Sequence, residues 1–383
     1  MQESVLYKIN KQERESGIEL LKIIAIIFII ISHVIQTLRT PNANFTEDYI
    51  LRFDEASCDF RFLLLAFLQY LGSLGNAIFF VCSAWFLLDS QKFSKKKVLY
   101  MLLDVWIISV IILCIFLING KFSISLKDKI KCLFPTSFAL NWYITCYLLF
   151  YPLHPSLNII IKSLSQKQLL LATFVMLFLY CGIDFVLPGL YFPSNLINFI
   201  VIYFAVAYIK LYMSRFCNNI RSNILVMLFG IVGWLGLLLL TNFIAVKTGY
   251  FKTQLLRWAV TNSPFLLLIA MSTFNIFHRK KFISRGINYF SSLSLLIYVI
   301  HENLLVRTYL RPLIFIWLKK RFGYDYIFLL CFSFAAFLFL TSALISSIYK
   351  CTLQKIIKSF ADRLYILLVK LYSQIMELLL KVN

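Results

Sequence analysis

Residues 18–38 read IELLKIIAIIFIIISHVIQTL, an almost continuous apolar run of 21 residues. As a helix it is long enough to cross a hydrocarbon core of about 30 Å. Similar apolar runs recur along the chain, in which 61% of 383 residues are hydrophobic and 14% are charged. A soluble chain has about 25% charged residues. The sequence therefore predicts an all-α, polytopic integral membrane helical bundle of about ten transmembrane helices. The expected spans are residues 18–38, 62–88, 98–118, 139–160, 168–183, 194–213, 223–246, 255–277, 287–306 and 325–349.

The distribution of lysine and arginine predicts the orientation of the bundle. If the N-terminus is cytoplasmic, these cations are more frequent in the cytoplasmic loops than in the outer ones. The distribution therefore predicts that both termini lie on the cytoplasmic side of the cell membrane. Topology thus accounts for the formal net charge of +21, and nucleic acid is not an expected partner. We expect one membrane domain over residues 1–349 and a cytoplasmic amphipathic tail over residues 350–383. The tail could lie on the anionic leaflet or pack on the bundle.

One polar stripe runs along the first predicted span. Lys22 and His33 are eleven residues apart, so they differ by roughly 20° in azimuth and lie roughly 16 Å apart along the helix. Glu19 lies nearly one turn before Lys22, and Gln36 one turn after His33. Ionisable residues inside a span are costly, and this stripe is expected to line an aqueous cleft or the protein interior.

A second polar cluster lies in the ninth predicted span. Ser294, Tyr298 and His301 share one helical face, and Glu302, Asn303 and Arg307 follow. We expect this cluster to border the same cavity as the first stripe. Three further polar or amphipathic residues in predicted spans are weaker candidates for that cavity: Asn76, Ser83 and Trp142.

These residues indicate a class of chemistry without identifying the reaction. A histidine in a span can take a proton from a hydroxyl group near neutral pH, and neighbouring donors can stabilise an oxyanion. The same polar cleft would also suit a transporter or flippase of a glycan or small polar solute. No GxSxG, HExxH or Walker motif occurs in the sequence, and no metal is expected.

Four segments together resemble the membrane-bound acyltransferase 3 family, in the branch that acetylates exopolysaccharides. The first matches the family hallmark of a basic residue, ten residues and a histidine, with Lys22 where arginine is usual and His33 as the histidine. The second, NAIFFVCSAWFLL at 76–88, has Ala84 where the family has glycine. The others are WYITCYLLFYPLHPSLN at 142–158 and SLLIYVIHENLLVR at 294–307.

The resemblance implies transfer of an acyl group, usually acetyl from acetyl-CoA, to a hydroxyl of a cell-surface polysaccharide or its lipid-linked precursor. His33 would be the general base. Lys22 would either face the acyl donor or only pair with Glu19. Six basic residues could contact the phosphates of CoA or simply anchor the cytoplasmic loops: Lys95, Lys96, Lys97, Arg279, Lys280 and Lys281.

Overall fold

The computed structural model describes residues 15–39, 59–187, 195–250, 258 and 260–382, and its regular structure is entirely helical there, as predicted. Within these residues seven helices are long and apolar enough to cross a membrane, or eight if one bent pair forms a single span. The chain is therefore a polytopic membrane protein, although the expected count of ten and the orientation are not confirmed. Residues 1–14 of the predicted membrane domain lie outside the described residues.

The described residues form sixteen α-helices of five or more residues. In chain order they are α1 Ser16–Arg39, α2 Phe60–Leu87, α3 Lys95–Asn119, α4 Leu126–Leu133, α5 Trp142–Phe150, α6 His154–Ser163, α7 Gln166–Leu177, α8 Asn195–Tyr212, α9 Ser214–Asn218, α10 Ile220–Thr248, α11 Pro264–His278, α12 Arg285–Ser291, α13 Ser294–His301, α14 Arg311–Phe322, α15 Ile327–Cys351 and α16 Leu353–Val382.

Helix α1 lies at the centre of the bundle and packs against α2, α11, α12, α13, α14 and α15. Its approach to α2 is close because two glycines of α2 face it. A Cβ atom added at Gly75 would lie 2.5 Å from the carbonyl oxygen of Ala25, and one at Gly72 would lie 2.5 Å from Oγ of Ser32. The Ser32 hydroxyl donates to the carbonyl of Gln69 at 2.6 Å, so a small-residue interface and a hydrogen bond hold the two helices together.

Two predicted spans are divided in the structure. The run over 139–160 forms α5 and α6, which meet at 56°. The run over 287–306 is not one helix: α12 ends at Ser291, α13 begins at Ser294 and ends at His301, and a π-helical turn at Val306–Leu310 leads into α14. Hydrogen bonds made by side chains at the second break, described below, stabilise the irregular backbone.

The C-terminal tail is a single helix, α16, and its first turns contact the bundle. Ile357 and Ala361 are buried there, whereas residues 366–374 are exposed. The helix therefore combines a docked beginning with an exposed continuation. The division of the chain at residues 349 and 350 stays a prediction.

Candidate functional site: a cavity and a buried histidine pair

A cavity of about 380 Å³ lies beside α1. Three residues of α1 line it, namely Lys22, Ile26 and Ile29, so it runs along the helix from the lysine to a point one turn before His33. Its polar lining residues come from six helices and the short α12–α13 connection: Lys22, Asn76, Ser83, Lys97, Tyr143, Tyr147, Ser291, Ser292, Ser294 and Tyr298. The cavity can therefore hold a ligand along the predicted polar stripe.

At one end of the cavity Lys22 is held by an ion pair. Its ammonium lies 3.0 Å from Oε1 of Glu19, and the hydroxyl of Ser291 donates to the other oxygen of the same carboxylate. An ammonium group has three N–H donors, so the pair with Glu19 leaves two for an anionic ligand. Lys97 lines the same cavity and adds a second cation. Pairing with Glu19 and contact with a ligand are thus compatible roles for Lys22.

Beyond the other end of the cavity, His33 meets His301. Nδ1 of His33 lies 3.1 Å from Nε2 of His301 and 2.9 Å from Oε2 of Glu302. Nδ1 of His301 lies 2.7 Å from the carbonyl oxygen of Ile297, which can only accept, so this nitrogen carries the proton. The Nε2 atom of neutral His301 is then an acceptor. Because both neighbours of His33 Nδ1 accept, Nδ1 is protonated, and Nε2 of neutral His33 is free of a proton.

Glu302 is the buried centre of an ionic network. Besides His33, its carboxylate accepts from Arg307 and from Arg311, each at 3.0 Å. The Glu302 and Arg311 side chains are 7% and 4% exposed, so the ion pair is shielded from water. Such a carboxylate fixes the orientation of a neighbouring histidine and stabilises the imidazolium that forms when the ring takes a proton.

The break after α13 makes this network possible. Helix α13 ends at His301, and the carboxamide of Asn303 accepts from the backbone N–H of Leu305 at 3.0 Å, which stabilises the turn. The turn buries the Glu302 side chain, which a continuous helix over 287–306 would place near the end of the span. The following helix begins with Arg311 and returns its guanidinium to the carboxylate.

His33, His301 and Glu302 offer three ligand atoms within 4.8 Å of one another, a spacing that a metal ion could bridge. However, two guanidinium groups already neutralise the one carboxylate. A divalent cation would add two positive charges beside them in a buried site, which is unfavourable. The charges of this cluster therefore favour hydrogen-bonded proton transfer over metal binding.

The predicted candidates fall into three groups. Five of them line the cavity: Lys22, Asn76, Ser83, Lys97 and Tyr298. Glu19 forms an ion pair with Lys22 but does not line the cavity itself. The buried network contains His33, His301, Glu302 and Arg307, with Asn303 stabilising its turn. Gln36 is half-buried one turn beyond His33, and Trp142 contacts the cavity residue Tyr143 with ring centroids 5.8 Å apart.

The other cations proposed for the donor phosphates do not line the cavity. Lys96 pairs with Asp362 of α16, and Lys281 pairs with Glu15. Lys95, Arg279 and Lys280 are likewise absent from the cavity walls among the described residues. Of the two predicted basic loops, only the one that begins α3 supplies a cation to the cavity, and it is Lys97.

Sequence reasoning assigned no role to Arg311 or to the hydroxyl group of Tyr143, whereas Ser294 belongs to the second predicted polar cluster. Arg311 lies between the ninth and tenth predicted spans, and it meets the buried Glu302 only because the helix breaks after His301, which the sequence pattern did not indicate. The buried hydroxyl oxygens of Tyr143 and Ser294 line the cavity, and neither has a hydrogen-bond partner within the described part of the chain. Buried polar groups are normally paired, so these two are donors suited to a bound ligand.

Comparison with known proteins gives one match. A family model described as an acyltransferase domain matches residues 15–353. No curated protein and no solved structure matches the chain. The matched range contains the cavity and the buried network and ends at the first residue of α16.

Proposed function

We propose, from the premise that this chain belongs to the acyltransferase 3 family, that it transfers an acetyl or other acyl group from acetyl-CoA to a glycan hydroxyl. Family membership makes the chain a membrane acyltransferase. The donor, the acceptor and the residue roles that follow are our proposal. The acceptor is a hydroxyl of a cell-surface polysaccharide or of its lipid-linked precursor, and the enzyme resides in the cytoplasmic membrane.

One observation carries the proposal: the hydrogen bonds of His33 leave Nε2 as its basic atom and place a carboxylate on the other side of the ring. In the proposed step, Nε2 removes the proton from the acceptor hydroxyl as its oxygen attacks the thioester carbonyl carbon. The carbon–sulfur bond breaks, and the imidazolium returns the proton to the departing thiolate. Glu302 stabilises the imidazolium in between.

Different parts of the cavity along α1 suit different parts of the reaction. Lys22 and Lys97 can bind an anionic part of the donor, such as its phosphates, at the end nearer Glu19. The unpaired hydroxyls of Tyr143 and Ser294 can donate to the thioester oxygen as negative charge develops on it. Tyr298 connects the two parts, because it lines the cavity and its ring centroid lies 5.8 Å from that of His301.

A second cavity, of about 510 Å³, suits the lipid-linked form of the acceptor. Apolar and aromatic residues of α14, of α15 and of the turn between them line it, with Ser333 as an exception. Three cations, Lys319, Lys320 and Arg321, occupy the last turn of α14, next to the lining residues Leu318 and Phe322. An apolar chain with a phosphate at its end would complement this surface. A glycan transporter, the other function weighed from the sequence, has no comparable support.

The experiment that tests the proposal uses purified protein in lipid nanodiscs, acetyl-CoA labelled in its acetyl group, and surface glycan from cells that lack the protein. We expect label on glycan hydroxyl groups with wild type and with His278→Ala, a control at a histidine outside the site. We expect none with His33→Ala. Transport of glycan across vesicles without any acyl transfer would contradict the proposal.

A further inference from the structure

Helix α16 lies beyond the family match except for its first residue, yet it is bonded to the bundle. Asp104 of α3 receives two hydrogen bonds from the C-terminal region. The Tyr349 hydroxyl donates at 2.7 Å and the Gln354 carboxamide at 2.9 Å. Ile357 and Ala361 are buried one and two turns later. The first turns of α16 are therefore seated on α3.

A second set of hydrogen bonds joins α16 to α3. The carboxylate of Asp362 accepts from the ammonium of Lys96 at 2.8 Å and from the hydroxyl of Tyr100 at 2.9 Å. Lys97 and Met101, each one residue further along α3, line the donor cavity. The same two turns of α3 thus contact α16 with one face and the cavity with the next.

The connection before α16 reaches the cavity from another side. The ammonium of Lys350, at the end of α15, donates to the hydroxyl of Ser292, which lines the cavity. Movement of α16 would therefore displace residues of two cavity walls, those of α3 and Ser292.

The opposite face of α16 is apolar and uncovered. Ile356, Phe360 and Leu367 are 67%, 56% and 52% exposed, and at 100° per residue they lie within about 40° of one another. Arg363 and Lys370 lie beside this stripe, at its polar edge, and both are exposed. An apolar face with cations at its edge is typical of a helix lying in the interface of an anionic membrane.

We infer that α16 docks on an anionic lipid leaflet through this stripe and its cations. We infer further that docking fixes the position of α3, and with it the cavity-lining residues Lys97 and Met101, where the acyl donor is proposed to bind. The effect on the donor depends on the proposed function, whereas the docking does not. A second copy of the chain is a less suitable partner, because its α16 would bring the same cations against Arg363 and Lys370. Anionic headgroups neutralise them instead.

The test uses the full chain, one copy per nanodisc, in phosphatidylcholine alone or mixed with phosphatidylglycerol. Hydrogen exchange of the α16 amides and the KM for acetyl-CoA are measured in both lipids. One variant removes three tail cations, Lys355→Gln, Arg363→Gln and Lys370→Gln. A matched control removes three exposed cations near the ends of other helices, Lys162→Gln, Lys167→Gln and Arg221→Gln. The control corrects for the repulsion of acetyl-CoA by the anionic lipid.

We expect phosphatidylglycerol to slow exchange in α16 of wild type and the control but not of the tail variant. In that lipid the tail variant should have a KM for acetyl-CoA about fivefold above that of the control, with little change in the acceptor KM. Equal exchange in both lipids, or protection only in discs that hold two copies, would overturn the docking. Equal donor KM values for the two variants would overturn the coupling. Absence of transfer in every lipid would contradict the proposed function, while exchange would still decide the docking.

Discussion

Glu302→Gln tests whether the buried carboxylate positions His33 for catalysis. The carboxylate accepts from His33 at 2.9 Å and from two arginines at 3.0 Å each. Glutamine keeps the shape but replaces one oxygen by an amide that donates. If the amide oxygen takes the place of Oε2, it accepts from His33 and Arg311, but the NH2 group then faces Arg307. In the other orientation the NH2 group faces His33 and Arg311. Neither orientation satisfies all three donors, and neither carries the negative charge.

Two losses follow, and their sizes differ. The side chain of Arg311, 4% exposed, loses its buried counterion, which costs about 3–5 kcal/mol of the free energy of unfolding. Catalysis loses the group that orients the base and stabilises its imidazolium, so kcat should fall at least about 100-fold, within the range for general-base catalysis. The KM for acetyl-CoA should change little, because the proposed donor contact Lys22 lies roughly 16 Å from His33 along α1.

A second variant separates the two losses. Glu302→Gln combined with Arg311→Met removes the unpaired charge and should recover much of the stability, because a buried charge is costly only when it is uncompensated. Its kcat should stay low, since the carboxylate is still missing. Thermal unfolding and steady-state kinetics in nanodiscs measure both quantities. Wild-type kcat in the single variant, or recovery of kcat together with stability in the double variant, would refute the positioning role.

Three further predictions concern other parts of the molecule. Lys22→Gln should raise the KM for acetyl-CoA more than that for the acceptor, while Lys22→Arg keeps most activity because arginine also binds phosphate; equal shifts of both KM values would count against donor binding. Gly75→Ala should lower the free energy of unfolding by about 1–3 kcal/mol, because its Cβ would lie 2.5 Å from a backbone oxygen of α1. Gly236→Ala, where the added Cβ has open space, should not destabilise in the same melting experiment. Hydrogen bonds from Lys96 and a tyrosine lower the pKa of Asp362. The contact of Asp362 with α3 therefore stabilises the docked α16 fully at pH values above the ordinary aspartate pKa. This stabilisation is lost as the pH falls through the lowered pKa. Exchange of α16 amides against pH measures this, and loss of protection well above the ordinary pKa would disagree.

The fold class and the first half of the site could be predicted because they depend on local pattern. Apolar runs of span length predict membrane helices directly. The spacing of Glu19, Lys22 and His33 fixes their common face once α1 is a helix. The structure then shows that Lys22 lines a cavity and that His33 meets partners beyond it.

The second half of the site depends on contacts that periodicity cannot detect. The sequence after His301 stays apolar at Leu304 and Leu305, so a continuous helix over 287–306 was the natural expectation. The helix ends early because Glu302 is drawn to His33 and Arg311, residues distant in the chain from one another. In the predicted orientation the loop after residue 306 lies outside the membrane, where cations are disfavoured, yet it contains five of them: Arg307, Arg311, Lys319, Lys320 and Arg321. This cluster was a signal that the segment does more than connect two helices.

The basic loops show the converse error. Six cations near predicted span ends were equally plausible ligands for CoA by charge alone, since charge density does not indicate direction. Only Lys97 lines the cavity, and its neighbour Lys96 bonds to Asp362 instead. One residue further along α3 the side-chain direction is rotated by about 100°, so Lys97 faces the cavity whereas Lys96 faces α16.

The most direct test of the account is a comparison of His33→Ala with Lys22→Gln in the purified protein. Acetyl-CoA binding is measured by calorimetry and acyl transfer by label on the glycan. The account predicts that His33→Ala binds acetyl-CoA as wild type does but transfers no acyl group, whereas Lys22→Gln binds it more weakly and still transfers at high donor concentration. Wild-type transfer by His33→Ala would contradict the account.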